Sequence, residues 1–171
     1  MQGRQTAQRC RVRTRCIASY NLPLLDEPTP ALYGQYSHEH TKVWSNKIAS
    51  FDAYVFVTPE YNHSISAALK NAIDYLCREW NNKAAGFVSY GGTVGARAVE
   101  HLRLITAALM IATVPAQVLL SLFTDFEDFK TLNPGPQREK ELAKMLDQLV
   151  AWGTALKTLR FEAAAAGVAR E

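Results

Sequence analysis

The sequence predicts an α/β domain, a three-layer αβα sandwich around a mostly parallel sheet, and three observations carry that prediction. Two short apolar runs, Ala53-Tyr54-Val55-Phe56-Val57-Thr58 and Ala85-Gly86-Phe87-Val88-Ser89, lack the polar alternation of a strand with one wet face. Both read as strands buried on both faces. Segments of helical period alternate with them, the pattern of βαβ units. Each run ends at a turn, at Pro59 and at Gly91-Gly92.

The elements follow in order. The first fifteen residues hold Arg4, Arg9, Arg11, Arg13 and Arg15 and no acid. Residues 1–19 are expected to be a disordered or misread segment. A nucleic-acid or anionic-membrane arm is the sharper reading, but the run has no interleaved aromatics and no amphipathic period. Residues 21–36, rich in Pro and Tyr, read as a loop. Ser37 is placed to cap a helix from His38 to Ser50. The first strand, 53–58, is followed by a helix from Ala67 to Leu76 with Leu69, Ile73 and Leu76 on one face. The second strand, 85–89, leads through Gly91-Gly92 into a helix from Gly95 to Met110. A third strand spans 113–120, interrupted by Pro115. A long amphipathic helix covers 136–157, with Leu142, Met145, Leu149, Trp152 and Leu156 as its apolar face. The domain therefore spans residues 20–160, with a tail over 161–171.

Composition narrows the function classes. With 171 residues, 48% of them hydrophobic and 20% charged, the chain suits one domain with a sizeable core. Cys10, Cys16 and Cys77 contain no C-x-x-C pair, which fits neither a disulfide framework nor a zinc site and favours a reducing, cytoplasmic setting. No apolar run is long enough to span a membrane, and the basic start lacks the apolar stretch of a secretory signal. His38 and His40, two apart on a predicted helix, should point to different faces, which argues against a metal pair. His63 and His101 read as packed or solvated histidines. Neither a membrane nor a nucleic-acid partner is expected.

Open parallel sheets bind ligands at the carboxyl ends of their strands. Pro59-Glu60-Tyr61-Asn62 and Ser89-Tyr90-Gly91-Gly92 follow successive strands, so both loops should open onto one rim. Ser89 is no hydrolase nucleophile, because its flanks lack the G-x-S-x-G elbow.

Four segments, Thr58-Pro59-Glu60-Tyr61-Asn62-His63-Ser64, Leu69-Lys70-Asn71-Ala72-Ile73-Asp74, Val88-Ser89-Tyr90-Gly91-Gly92 and Gly95-Ala96-Arg97-Ala98, are similar in order and spacing to the NAD(P)H-dependent FMN reductase family. The resemblance runs over about residues 20 to 160. It implies a flavodoxin-like fold, FMN as cofactor, NADPH or NADH as hydride donor and a small-molecule electron acceptor such as a quinone. It places Pro59, Glu60, Tyr61, Asn62, Ser89, Tyr90, Gly91 and Gly92 against the flavin. It places Lys70 and Asp74 on a helix at the interface of a homo-oligomer, although their i,i+4 spacing also makes an ordinary ion pair. Arg97 is either a contact for a nicotinamide-cofactor phosphate or a solvated helix arginine.

The residues themselves suit that reading. A flavin needs a flat slot, backbone donors and one open face. Gly91 and Gly92 would let the main chain approach the ring. Their amides, near a helix start, would stabilise charge on reduced flavin. Tyr61 and Tyr90 offer aromatic surface and Asn62 an amide. No side chain need act as acid or base, because the flavin carries the chemistry.

The start departs from the family, which opens with an apolar strand and a G-S-x-R-type phosphate loop. Here Cys16-Ile17-Ala18-Ser19-Tyr20-Asn21-Leu22-Pro23 resembles the loop after the family's second strand, preceded only by the Arg-rich run. The fold is therefore expected to be N-terminally incomplete, through a truncated or misread start or through divergence. Two smaller departures are Ser66, where the family often has proline but where serine still caps a helix well, and Ala96, where a second glycine is usual. Beside the reductase stands an alternative, a non-catalytic, truncated flavodoxin-like module with impaired FMN binding. A one-electron carrier of flavodoxin type is a third reading, weakened by the chain's net charge of +3.

Overall fold

The computed structural model describes residues 11–165. Arg4, Arg9 and Cys10, and residues 166–171, lie outside the described residues. The elements are α1 (Glu39–Ala49), β1 (Ala53–Pro59), α2 (Ala67–Asp74), β2 (Lys83–Gly91), α3 (Ala96–Ala108), β3 (Ile111–Thr113), β4 (Val118–Ser121), β5 (Phe126–Glu127), β6 (Thr131–Leu132) and α4 (Pro136–Ala165).

The main sheet is parallel throughout, with β2 at its centre. β1 lies along one side of β2, from Ala53 opposite Ala84 to Pro59 opposite Tyr90. β3 and β4 lie along the other side as two pieces of one course. Pro115, which has no N–H to give to a ladder, falls in the gap between them. Arg103 steadies that gap by donating to Thr113 Oγ1, the Val114 carbonyl and Gln117 Oε1.

One face of the sheet packs against α1, α2 and α3, with Trp44, Tyr54, Phe56, Trp80 and Phe87 at the heart of an aromatic cluster. α4 covers the other face, through Met145 and Leu149 against Ala84 and Val114. The fit at Gly86 is tight. A Cβ there would lie 2.9 Å from Met145 Cγ and Sδ.

The structure corrects several expectations. β2 is buried along most of its length, as its apolar run implied, but β1 alternates and Val57 is 63% exposed. Among the described residues β1 pairs only with β2 and stands at the edge of the sheet they form. The N-terminus of α1 is not capped by Ser37. His38 is the capping residue, without a side-chain bond, and Glu27 from the preceding loop accepts the N–H groups of Ser37 and His38 at 2.7 and 3.0 Å. Because His38 is extended rather than helical, its ring stacks on that of His40 at 5.2 Å instead of diverging from it. α4 continues past Lys157 to Ala165, and Leu142 and Trp152 on its predicted apolar face are exposed. The antiparallel pair β5–β6 was not anticipated. The serine cap of α2 is as expected, with Leu69 N donating to Ser66 Oγ at 3.3 Å.

Candidate functional site

Parallel pairing in register carries Pro59 and Tyr90 to the same level, so the loops that follow emerge side by side. The ladder continues one step, with Glu60 N donating to Tyr90 O at 3.0 Å. Beyond it the first loop closes as a tight turn. Tyr61 and Ser64 exchange N–H···O bonds of 2.9 and 3.0 Å, and Asn62 and His63 both have positive φ, 47° and 74°. Two central residues in this region define the I′ type of turn, where asparagine is favoured. Asn62 thus has a backbone reason to be there. Its side chain is exposed, as is that of Tyr61.

Glu60 is the link between the loops. Its side chain is 4% exposed and turned inward. Its carboxylate accepts from Thr93 Oγ1 at 2.8 Å, from Arg97 Nε at 2.6 Å and from the Arg97 backbone N–H at 3.2 Å. Arg97 Nη2 also pairs with the carboxylate and donates to Thr93 Oγ1 at 2.9 Å. Burial pushes the Glu60 carboxyl up, but the bonds from Arg97 and Thr93 outweigh it and hold the group below its ordinary value of 4.5. The carboxylate sits where the positive end of α3 is available, so Glu60 neutralises much of the helix dipole there.

The glycines divide their tasks differently from the sequence reading. A Cβ at Gly91 would stand 3.4 Å from Glu60 Cβ, so its smallness serves the approach of the two loops. Gly92 is open, with Phe123 Cε2 nearest at 3.9 Å. Gly95, at φ 73° as the N-cap of α3, has the strictest need. A Cβ there would lie 2.6 Å from Ser89 Cβ and 2.8 Å from Tyr90 N. Ser89 is fully buried and spends its hydroxyl on Val94 O at 3.0 Å, closing the turn from within.

The structure thus brings all eight predicted residues to one rim but gives them two jobs. Glu60, Ser89 and Gly91 are inside and hold the loops together. Tyr61, Asn62 and Gly92 are exposed, while Pro59 and Tyr90 are half-buried. Sequence reasoning missed Gly95 and Thr93 as parts of the rim. A helix start does not by itself call for positive φ, so the demand at Gly95 shows only in the assembled turn. Beside Gly92 lies an aromatic group, also missed, in which Phe123 packs on Phe129 and Tyr90 on Phe126.

Lys70 and Asp74 form an ion pair of 2.5 Å on the outer side of α2. They border an open, mostly apolar groove with Leu32, Ile73, Ile105 and Leu109. Among the described residues no group of His, Cys, Asp and Glu could hold a metal ion, and no helix is long and apolar enough to cross a membrane.

Tyr61, Asn62 and Gly92 make up the outward-facing part of this rim.

A parallel sheet with helices on both faces and paired loops at one rim defines a flavodoxin-like α/β protein. FerB, a flavoenzyme NAD(P)H:(acceptor) oxidoreductase from Paracoccus denitrificans, shares this fold, with a TM-score of 0.57 and 20% identity over 83% of this chain and 78% of its own. The chain belongs to the NADPH-dependent FMN reductase family, whose model matches residues 3–125. That match begins inside the segment set aside by the sequence reading, and its first residues lie outside those described. The chain is 40% identical to an NAD(P)H-dependent FMN reductase of Nectria sp over 70% of its own length. It is 46% identical to an NAD(P)H:quinone oxidoreductase of Solanum tuberosum over a shorter stretch, 37% of this chain and 35% of the potato protein. The matched region spans 62% of the Nectria enzyme.

Proposed function

We propose that this chain is an NAD(P)H-dependent reductase that uses FMN and passes the electrons to a small acceptor of quinone type. The observation that carries the reading is the rim itself, two loops locked by one buried carboxylate with Tyr61, Asn62 and Gly92 left facing outward. Bound there, FMN would accept hydride from the nicotinamide and deliver it to the acceptor. The chain's own part is to bind and orient. Pro59, Tyr61 and Tyr90 supply the walls of the ring slot, the open Gly92 lets the main chain come close, and Asn62 offers an amide to the ring's polar edge. Glu60 and Arg97 keep the two loops in register. Arg97 therefore acts first as a brace, with its Nη1 left without a bond among the described residues. The names of the Nectria and potato relatives support the donor and the acceptor class.

Self-association through α2 belongs to the same reading, supported by the apolar groove beside Lys70 and Asp74. Free Cys16 and Cys77 support a reducing, cytoplasmic setting. Parallel titrations of FMN and riboflavin, followed by flavin fluorescence, test the cofactor. Binding of FMN together with NADPH-dependent reduction of a quinone is the expected result. A chain that binds neither flavin is the non-catalytic module instead. A preference for FMN below about tenfold, roughly 1.4 kcal/mol, shows that the ring alone is held.

A further inference from the structure

The hairpin β5–β6 and the turn before it set an aromatic pair beside the rim that the fold does not use. Phe123 and Phe129 are 69% and 63% exposed and meet edge to face, with ring centroids 5.8 Å apart and planes at 87°. A Cβ added at Gly92 would meet Phe123 Cε2 at 3.9 Å, so the pair borders the outward-facing glycine of the rim. Phe129 sits on an unfavourable backbone. Asp128 and Phe129 have φ of 50° and 57°, and Lys130 N donates to Glu127 O at 3.0 Å. This is an I′ turn, whose second central position is usually glycine. A bulky side chain is held there against the preference of the main chain, and its ring belongs to neither hydrophobic core. The hairpin is nevertheless firmly placed. Asp125, 4% exposed, accepts from Ser121 N at 2.8 Å and from Arg138 Nε at 3.0 Å, and its carbonyl accepts from Asn133 N at 2.9 Å. These bonds tie the hairpin to the start of α4. The charged groups at its tip are the exposed Glu127, Asp128 and Lys130, an excess of negative charge.

We propose that Phe123 and Phe129 form an acceptor subsite that extends the rim past Gly92 and selects neutral quinones carrying a second, fused aromatic ring over single-ring quinones. The proposal rests on the reductase reading of the adjacent loops. Exposed aromatic faces recognise flat apolar ligands by offset or edge-to-face stacking. A single quinone ring is engaged at the rim alone, whereas a fused second ring reaches the phenylalanines. The charge at the tip separates this ligand from the other flat molecule of the reaction. A dinucleotide would bring anionic phosphates to a surface with an excess of negative charge, and like charges set against each other exclude a partner. A neutral quinone meets no such barrier. The backbone of Phe129 points the same way, because a residue kept in a sparsely populated conformation without a packing reason marks a functional position. Turnover consumes one NADPH, one proton and one quinone and yields NADP+ and the hydroquinone. The two phenylalanines exchange neither electrons nor protons and determine only which acceptor is held.

The test uses the full chain with FMN and compares 2,3-dimethyl-1,4-naphthoquinone with tetramethyl-1,4-benzoquinone. Both are neutral and fully substituted on the quinone ring, so neither adds a cysteine thiol. NADPH oxidation gives the ratio of kcat/KM for the two acceptors, in which flavin loading cancels. Equilibrium dialysis without NADPH gives the ratio of their Kd values. Comparing variant with parent removes the intrinsic difference between the quinones. Phe129→Gly is expected to lower the preference for the two-ring quinone about fivefold, roughly 1 kcal/mol, the size of one aromatic contact. Its melting temperature should not fall, because glycine is the residue this turn favours. Phe123→Ala is expected to lower the preference similarly, and Phe129→Tyr, which keeps the aromatic face, to retain it. A Kd ratio that Phe129→Gly leaves at the parent value overturns the subsite. So does a preference lost equally in Phe129→Tyr, or a loss that comes with a lower melting temperature, since either assigns the effect to the hairpin rather than to the ring. Absent turnover with both quinones speaks against the reductase reading, and the dialysis ratios then decide the subsite by themselves.

Discussion

The two ends of the sheet are each tied to a helix terminus by one buried ion, and the two ions behave oppositely. At the carboxyl end, Glu60 is anchored at the N-terminus of α3 and pairs with Arg97. At the amino end, Lys83 is 3% exposed and donates to the last carbonyls of α1, at 2.9 Å to Ile48 O and 3.2 Å to Ala49 O, and to Tyr54 Oη at 2.8 Å. Each charge has the sign that its helix end favours. Glu60 also has a counter-ion in contact, and the fold stabilises its charged form. Lys83 has no direct ion pair among the described residues. Burial, reinforced by Arg160, pushes its ammonium down to about 8. The rim is thus held by a charge that persists across the physiological range, and the opposite end by one that is conditional on pH.

The sharpest way to break the rim is to remove the freedom of its backbone. Gly95→Val puts a branched side chain where a single Cβ already meets Ser89 Cβ at 2.6 Å, on a backbone at φ 73°. A loss of roughly 3 kcal/mol or more is expected, together with complete loss of flavin binding. Urea denaturation followed by FMN titration checks both. Unchanged stability would mean that the turn from 89 to 95 is more plastic than its packing implies.

The next largest effect is expected from Glu60→Gln, which leaves Arg97 without its counter-ion. Stability should fall by about 1–3 kcal/mol, and FMN affinity should fall with it because the loops separate. The pH dependence follows from the lowered value at Glu60. The wild-type bracket contributes fully above the ordinary carboxylate value of 4.5 and is lost as pH drops through the lower folded value. Glu60→Gln should therefore flatten stability in that acid range, as read from urea midpoints.

The opposite end should respond at the other side of the pH scale. The folded value of Lys83, about 8, lies below its ordinary 10.5, so between the two the unfolded chain binds the extra proton. Stability attributable to this group rises from pH 8 towards 10.5, the reverse of a gain from a strengthened pair. Lys83→Met should remove that rise while leaving the Glu60 acid limb in place. A rise that persists in the variant would assign it to another group.

The smallest structural effect is expected at Gly92, where an added Cβ meets nothing closer than 3.9 Å. Gly92→Ala should change stability by no more than about 0.5 kcal/mol while weakening FMN binding, because this glycine faces outward. A binding loss without a melting shift separates the ring surface from the bracket beneath it. Equal FMN binding by variant and parent would remove Gly92 from the site.

Some of this was legible in the residue string. The apolar runs announced β1 and β2, Ser66 announced the start of α2, and Pro115 announced the break between β3 and β4, because strand burial, capping and a missing N–H are local properties. The shared rim followed from the strand order. Which rim residues face inward was not legible. Glu60 and Arg97 are distant in the chain, and only the register of β1 on β2 turns that carboxylate onto the start of α3. In the same way, His63 and His101 read separately as ordinary histidines until the Tyr61–Ser64 turn and the path of α3 set their rings side by side. β1 read as buried because an apolar run records side chains and not neighbours. Its exposure was decided by which strands stand beside it, since a sheet edge belongs to the assembled sheet and to no single segment.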